Sequence, residues 1–218
     1  MSKIKHHLSD QLLMSYAAGA LPEAFNLVVA THISMCDECR ARLETFEAIG
    51  GAVLDSAEPE TSSNALTVDL AATLDRIKAQ DVETTTPRKV VPGVFPKALQ
   101  DYVGGDLEAV KWRPVGMGVR QAILDTSNSA SVRLLYIPAG KALPDHGHHG
   151  TEMTLVLQGA FRDDHDRFGR GDIEIATEDL EHTPVAELGA DCICLSATDA
   201  PLKFSGLLPR LAQRFLRI

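Results

Sequence analysis

The sequence predicts an α+β chain in two parts. A small helical bundle of about four helices comes first, and an antiparallel β-barrel or sandwich of the jelly-roll type follows. Three observations predict it. Apolar residues recur at helical spacing to about residue 80. A Thr- and Pro-rich stretch without an apolar period, "DVETTTPRKVVPG", then runs from 81 to 93. From about 94 onward the pattern changes to period two, in short runs separated by Gly, Pro, Asp and Asn. The expected division is a helical domain over 1–85, a linker over 86–93 and a β domain over 94–218.

The helices follow in order. "SDQLLMSYAAGAL" opens with Ser9 or Asp10 as an N-cap, carries Leu12, Leu13, Tyr16, Ala17 and Ala20 at helical spacing, and is ended by Gly19 and Pro22. A second helix starts at Pro22 or Glu23, where proline fits a first turn, and carries Phe25, Leu27, Val28 and Val29 to His32. The third runs from about Asp37 to Leu54. After the polar "DSAEPETSSNA", a fourth over 66–80 has a narrow stripe of Leu66, Leu70, Leu74 and Ile77. That stripe can pack on the bundle or grip another protein. In the second half, "GVRQAILDT", "SVRLLYIPAG", "EMTLVLQGAF", "DIEIATE", "HTPVAEL" and "DCICLSAT" read as strands at the close spacing of a sandwich or barrel.

Composition narrows the function. The chain has 218 residues, an apolar fraction of 44% and a formal charge of −9. The length and apolar content suffice for a real core. The acidity argues against direct nucleic-acid binding, which needs a clustered positive surface, and is compatible with docking on a basic protein partner. "MSKIKHHLSD" lacks the apolar run of a signal peptide, and no stretch has the roughly 20 apolar residues of a membrane span. A cytoplasmic protein is expected, with its four cysteines reduced or ligating metal. Cys192 and Cys194 share one face of a strand. Their extended spacing of about 7 Å does not suit a disulfide, so they read as small buried hydrophobes.

Two clusters carry chemistry. His32, Cys36 and Cys39 form H-x3-C-x2-C, with His32 and Cys36 four apart on one helical face. Three such donors suit tetrahedral zinc and lack one ligand, for which His6 and His7 are the candidates. A site closed by four protein ligands has no open position for catalysis, which favours a structural or switching metal. The second cluster, "GKALPDHGHHGTEMTLVLQG", sets Gly140, His146, His148, Glu152 and Gly159 in the pattern G-x5-H-x-H-x3-E-x6-G. On a strand, His146 and His148 point the same way. Further on, "RFGRGDIEIATEDLEHTPVAE" offers Gly171, Asp172 and His182. Three histidines and a carboxylate can bind a divalent metal, zinc first among zinc, manganese, iron and nickel. His149 and His165 read as surface residues.

The G-x5-H-x-H-x3-E-x6-G run resembles the first motif of the cupin barrels. The run around His182 resembles the second, without its usual proline before the Gly-Asp pair. The N-terminal "HH…HxxxCxxC", within "LSDQLLMSYAAGALPEAFNLVVATHISMCDECRA", resembles the zinc-binding anti-sigma domain, and the whole chain resembles the ChrR-type anti-sigma factors. In that family the first zinc ligand stands 25 residues before the motif's histidine, which implies His7. The resemblance implies a zinc held by His7, His32, Cys36 and Cys39. It also implies a cupin metal on His146, His148, Glu152 and His182. The expected partner is an extracytoplasmic-function sigma factor, bound 1:1 with its release controlled by the cupin domain. The implied signal is oxidative, such as singlet oxygen or an organic peroxide. The alternative is a metal-dependent cupin enzyme, a dioxygenase or hydrolase with a helical appendage.

Overall fold

The computed structural model describes residues 3–57, 69–79, 92–127 and 129–204. Most of the expected linker, and Leu66 of the expected stripe, lie outside the described residues. Helices α1 (Asp10–Ala17), α2 (Glu23–Ile33), α3 (Asp37–Ser56) and α4 (Leu70–Ala79) stand where apolar spacing puts them. Ser9 caps α1, its hydroxyl accepting the Leu12 amide at 3.3 Å. Cys36 takes the same place on α3, its Sγ accepting the Cys39 amide at 3.4 Å.

A fifth helix, α5 (Lys97–Val103), occupies a region expected to be β. Pro96 precedes it, and its Leu99 is fully buried. A proline just ahead of a helix is a start signal, and the short run "KALQDYV" hides it from a period-two reading.

Among the described residues the β region holds twelve strands. A six-stranded antiparallel sheet is formed by β1 (Arg113–Gly116), β2 (Val119–Leu124), β3 (Ser131–Ile137), β5 (Glu152–Gln158), β8 (Ile173–Ala176) and β11 (Cys192–Thr198), in the order β1-β2-β3-β11-β5-β8. Two three-stranded sheets complete it. One has the order β10-β6-β7, from β6 (Ala160–Arg162), β7 (Arg167–Gly169) and β10 (Val185–Ala186). The other has the order β12-β4-β9, from β4 (His146–His148), β9 (Glu181–His182) and β12 (Leu202–Phe204).

Period-two alternation gives the large sheet two buried faces. Its inner face packs Ile137, Val156, Cys192 and Cys194 against Phe161, Phe168 and Ala186 of the small β10-β6-β7 sheet. Its outer face presents Val132, Leu134, Met153, Leu155, Ile193 and Leu195, which join Leu13, Phe25, Val28 and Leu43 of the helices in one continuous core. Helix α2 makes the joint. It buries Ala24, Phe25, Leu27, Val28, Val29, Thr31 and His32, which is nearly its whole circumference. The remaining stripe, Glu23, Asn26, Ala30 and Ile33, is exposed or half-buried. Helices α1, α3 and α5 pack against α2, and so do β3, β5 and β11.

The segment before α1 straps the helices to the β7–β8 turn. The Lys5 and His6 amides donate to Asp172 Oδ1 at 2.6 and 3.0 Å, and the His6 ring lies 4.4 Å from the Phe168 ring. His6 Nε2 bonds Asp166 Oδ2 at 3.0 Å. Gly171 sits beneath the strap with φ +90°, and a Cβ there would stand 2.6 Å from Ile4 Cδ1, so only glycine fits.

Candidate metal centres

The first cluster forms where α2 ends and α3 begins. The chain reverses between Ile33 and Asp37, which brings His32 of the last α2 turn over Cys36 and Cys39 of the first α3 turn. The strap delivers His7 from the opposite side. His7 Nδ1 stands 3.2 Å from Cys36 Sγ and 3.6 Å from Cys39 Sγ, and His32 Nε2 stands 3.3 Å from Cys39 Sγ. One donor atom from each of the four residues falls within 4.8 Å of the others. His6, the other N-terminal candidate, is turned away onto Asp166 and Asp172.

Burial, and then the nearby His7 charge, lower the His32 pKa to about 4, so its ring is neutral and able to ligate at neutral pH. Its Nδ1 makes no well-aligned hydrogen bond, although the Gly171 backbone lies close. Burial pushes the Cys39 thiol up to about 11. Two buried thiols, one of them raised so far, with the buried His32 ring and the half-buried His7 ring form a donor set that a soft divalent cation would satisfy. Glu38 Oε2 lies 3.4 Å from His7 Nε2, the ring nitrogen turned away from the thiols, where an outer carboxylate orients a ligating histidine.

The second cluster sits inside the β region. Strand pairing sets it: β4 pairs with β9 so that His146 faces His182, and alternation puts His148 on the same face as His146. The three rings lie with centroids 4.7 to 5.4 Å apart, and one nitrogen from each falls within 4.8 Å of the others. His146 Nδ1 bonds the Pro144 carbonyl at 2.9 Å, which leaves Nε2 for the cluster. Glu152 stands at the edge. Its Oε2 is 3.4 Å from His148 Nδ1, and neither atom completes a hydrogen bond although both are buried. Burial alone would raise the Glu152 pKa. The His148 and His146 rings and the Ser196 hydroxyl outweigh it and bring it to about 2. A buried carboxylate and a buried imidazole with open lone pairs fit a cation between them.

The motifs do not reveal two carboxylates behind His182. Its Nδ1 is 3.0 Å from Asp163 Oδ2 and 3.3 Å from Glu174 Oε1. Burial alone would lower the His182 pKa, and Glu174 and Asp163 lift it to about 9 instead. Asp163, Glu174 and His182 themselves form a third tight group of donors. Glu174 alternates with apolar residues in "DIEIATE", and that position on an inward face is its signal in the sequence. The turn that carries Asp163 gives no such signal.

Comparison with known proteins places the whole arrangement. A family profile described as the ChrR cupin-like domain matches residues 100–200. Anti-sigma-E factor ChrR of Cereibacter sphaeroides is 57% identical over 215 residues, covering 99% of both chains. The chain belongs to the ChrR family of anti-sigma factors. Among solved structures, the crystal structure of Rhodobacter sphaeroides SigE in complex with the anti-sigma ChrR matches with a TM-score of 0.77 and 55% identity, over 90% of this chain and 100% of that one. The ChrR family is regulatory, so the alternative of a cupin enzyme with a helical appendage is set aside. Both metal-type clusters lie inside the aligned region of the 57% identical relative. Among the described residues no helix is long and apolar enough to cross a membrane.

Proposed function

We propose that this protein is a cytoplasmic inhibitor of an extracytoplasmic-function sigma factor, which it binds 1:1 through its helices. In this reading His7, His32, Cys36 and Cys39 hold zinc, whose role is to fix the strap, α2 and α3 in one geometry. His146, His148, His182 and, after a small turn of its side chain, Glu152 hold a second divalent metal, zinc first among zinc, manganese, iron and nickel. The metal-holding β domain takes an oxidative signal of the singlet-oxygen or organic-peroxide class and weakens the hold on the sigma factor. Such release requires that the signalled state bind the partner less well than the resting state does. The functional division remains 1–85 for the clamp and 94–218 for the receiver, joined by 86–93.

The observation that carries the reading is a set of apolar side chains left uncovered on the two outer helices. Ile49, Val53 and Leu54 of α3 are 56, 64 and 75% exposed, and Leu70, Leu74 and Ile77 of α4 are 71, 44 and 56% exposed. An amphipathic helix with its apolar stripe in water suits a partner's groove. With Leu66, the α4 stripe is the proposed contact.

The test uses the full chain co-purified with its cognate extracytoplasmic-function sigma factor. The expected result is two metals per chain and a 1:1 complex. Cys36→Ser with Cys39→Ser should lose one metal and the complex together. His146→Ala with His148→Ala should lose the other metal, keep the complex and lose release by peroxide. If the double serine variant still inhibits but no longer responds to stress, the first zinc is the sensor and its structural role falls.

A further inference from the structure

The inner face of the large sheet carries a charge that neither metal cluster uses. Along β3, Val132 and Leu134 point to the helices, so Arg133 points inward with Leu135 and Ile137. Arg133 is only 5% exposed. It lies opposite Ser196 on β11, which lies opposite Thr154 on β5.

The guanidinium is poorly matched where it stands. Its hydrogen bonds go to Gln121 Oε1 at 3.4 Å and Ser131 Oγ at 3.3 Å, both long and both to neutral acceptors. Among the described residues no carboxylate forms an ion pair with it. Glu152 is the acid whose charge it feels, but Glu152 Oε1 already accepts the Thr154 and Ser196 hydroxyls at 2.9 and 2.7 Å, and Oε2 faces His148. A guanidinium does not give up its proton in a protein, so burial leaves a cation that strongly favours a counter-charge.

Arg133 also lines a cavity of about 490 Å³ together with residues 125–127, 129–130 and 199–201. That volume suits a small organic molecule. Hydroxyl-bearing Thr126, Ser127, Ser131 and Thr198 share the wall with apolar Ile123 and Leu124. Asp125 and Asp199 also stand on it, and Asp199 Oδ1 accepts the Thr151 amide at 2.8 Å. One planar cation among hydroxyls matches a single carboxylate held by both fork nitrogens. The two acids on the wall disfavour a dianion such as phosphate.

We propose that this cavity is a binding site for a small organic monocarboxylate, held through its carboxylate by Arg133.

The experiment titrates the full chain, metals in place, with acetate, pyruvate, lactate and benzoate. Calorimetry reads the heat, and the Arg133 Nε–H resonance reports the contact. Saturable binding of at least one of these is expected, with a shift at Arg133. Arg133→Met should weaken it roughly 10- to 100-fold, as loss of a charge-assisted pair implies. It should leave the urea midpoint and metal content unchanged, since an apolar chain of similar length is tolerated where a charge was buried. If Arg133→Met does not fold, Arg133→Lys, which keeps the charge and loses the fork, should still weaken binding. Absence of saturable binding by all four overturns the proposal. So does equal binding by the Arg133→Met variant, or equal binding of chloride and sulfate.

Discussion

His182 is gripped from behind by two carboxylates, and that grip fixes which nitrogen it turns to His146 and His148. With Asp163 and Glu174 both at Nδ1, the ring presents Nε2 forward. Asp163→Asn replaces a charged acceptor by a neutral one, and the affinity of the β-domain site for zinc should fall about 10- to 100-fold in a competition titration with a chelator of known affinity. The zinc content of the His7 cluster should not change. At this scale the sequence is legible in proportion to the rarity of the residue types. His32, Cys36 and Cys39, or His146, His148 and Glu152, announce themselves by donor type and spacing. Asp163 does not, because "RDDHDRF" reads as any acidic surface turn. Arg133 and Glu174 stand between. Each is a charge alternating with apolar residues in a strand, and only knowledge that both faces are buried turns that pattern into a statement about function.

The strap and α2 do together what neither does alone. The strap places His7 over the thiols, and its two amides are tied to Asp172 on the far side of the joint. Burial would raise the Asp172 pKa, but the Lys5, Gly169 and His6 amides and the His6 charge hold it below the ordinary carboxylate value. A depressed carboxylate pKa contributes stability that is present above its unfolded value, near 3.8, and is lost as pH falls through the lower folded value. Slow hydrogen exchange at the Lys5 and His6 amides should therefore persist through pH 3.8 and fail only as pH falls through the lower folded value. Asp172→Asn should cost about 1.5–3 kcal/mol by urea denaturation and remove that protection at all pH values. Helices α1 to α3 follow their apolar spacing because burial enforces it. Helix α5 has only seven residues, and its signals, Pro96 before it and Gly104 after it, are easily read as loop punctuation.

In the whole molecule, the helices and the large sheet share one core, so the composition change near residue 80 marks a change of architecture without a break in packing. Scanning calorimetry of the full chain with zinc bound should give a single transition whose calorimetric and van't Hoff enthalpies agree. Two separated transitions would mean that the helices and the β region melt independently. Leu134→Ala, on the outer face of the sheet and fully buried, should lower stability by about 2–5 kcal/mol and shift that one transition as a unit. The sequence shows each layer's periodicity but not which face meets which, since pairing between layers depends on side chains far apart in the chain. Helix α2 has one consequence for descent. Its buried residues answer to α1 and α3 and also to β3, β5 and β11, so none of those positions can drift to suit one neighbour alone. A chimera joining the first 85 residues of one relative to the β region of another should express as inclusion bodies unless the sheet residues that meet α2 are transplanted with it. Lineages of this architecture should then have inherited clamp and receiver as a pair.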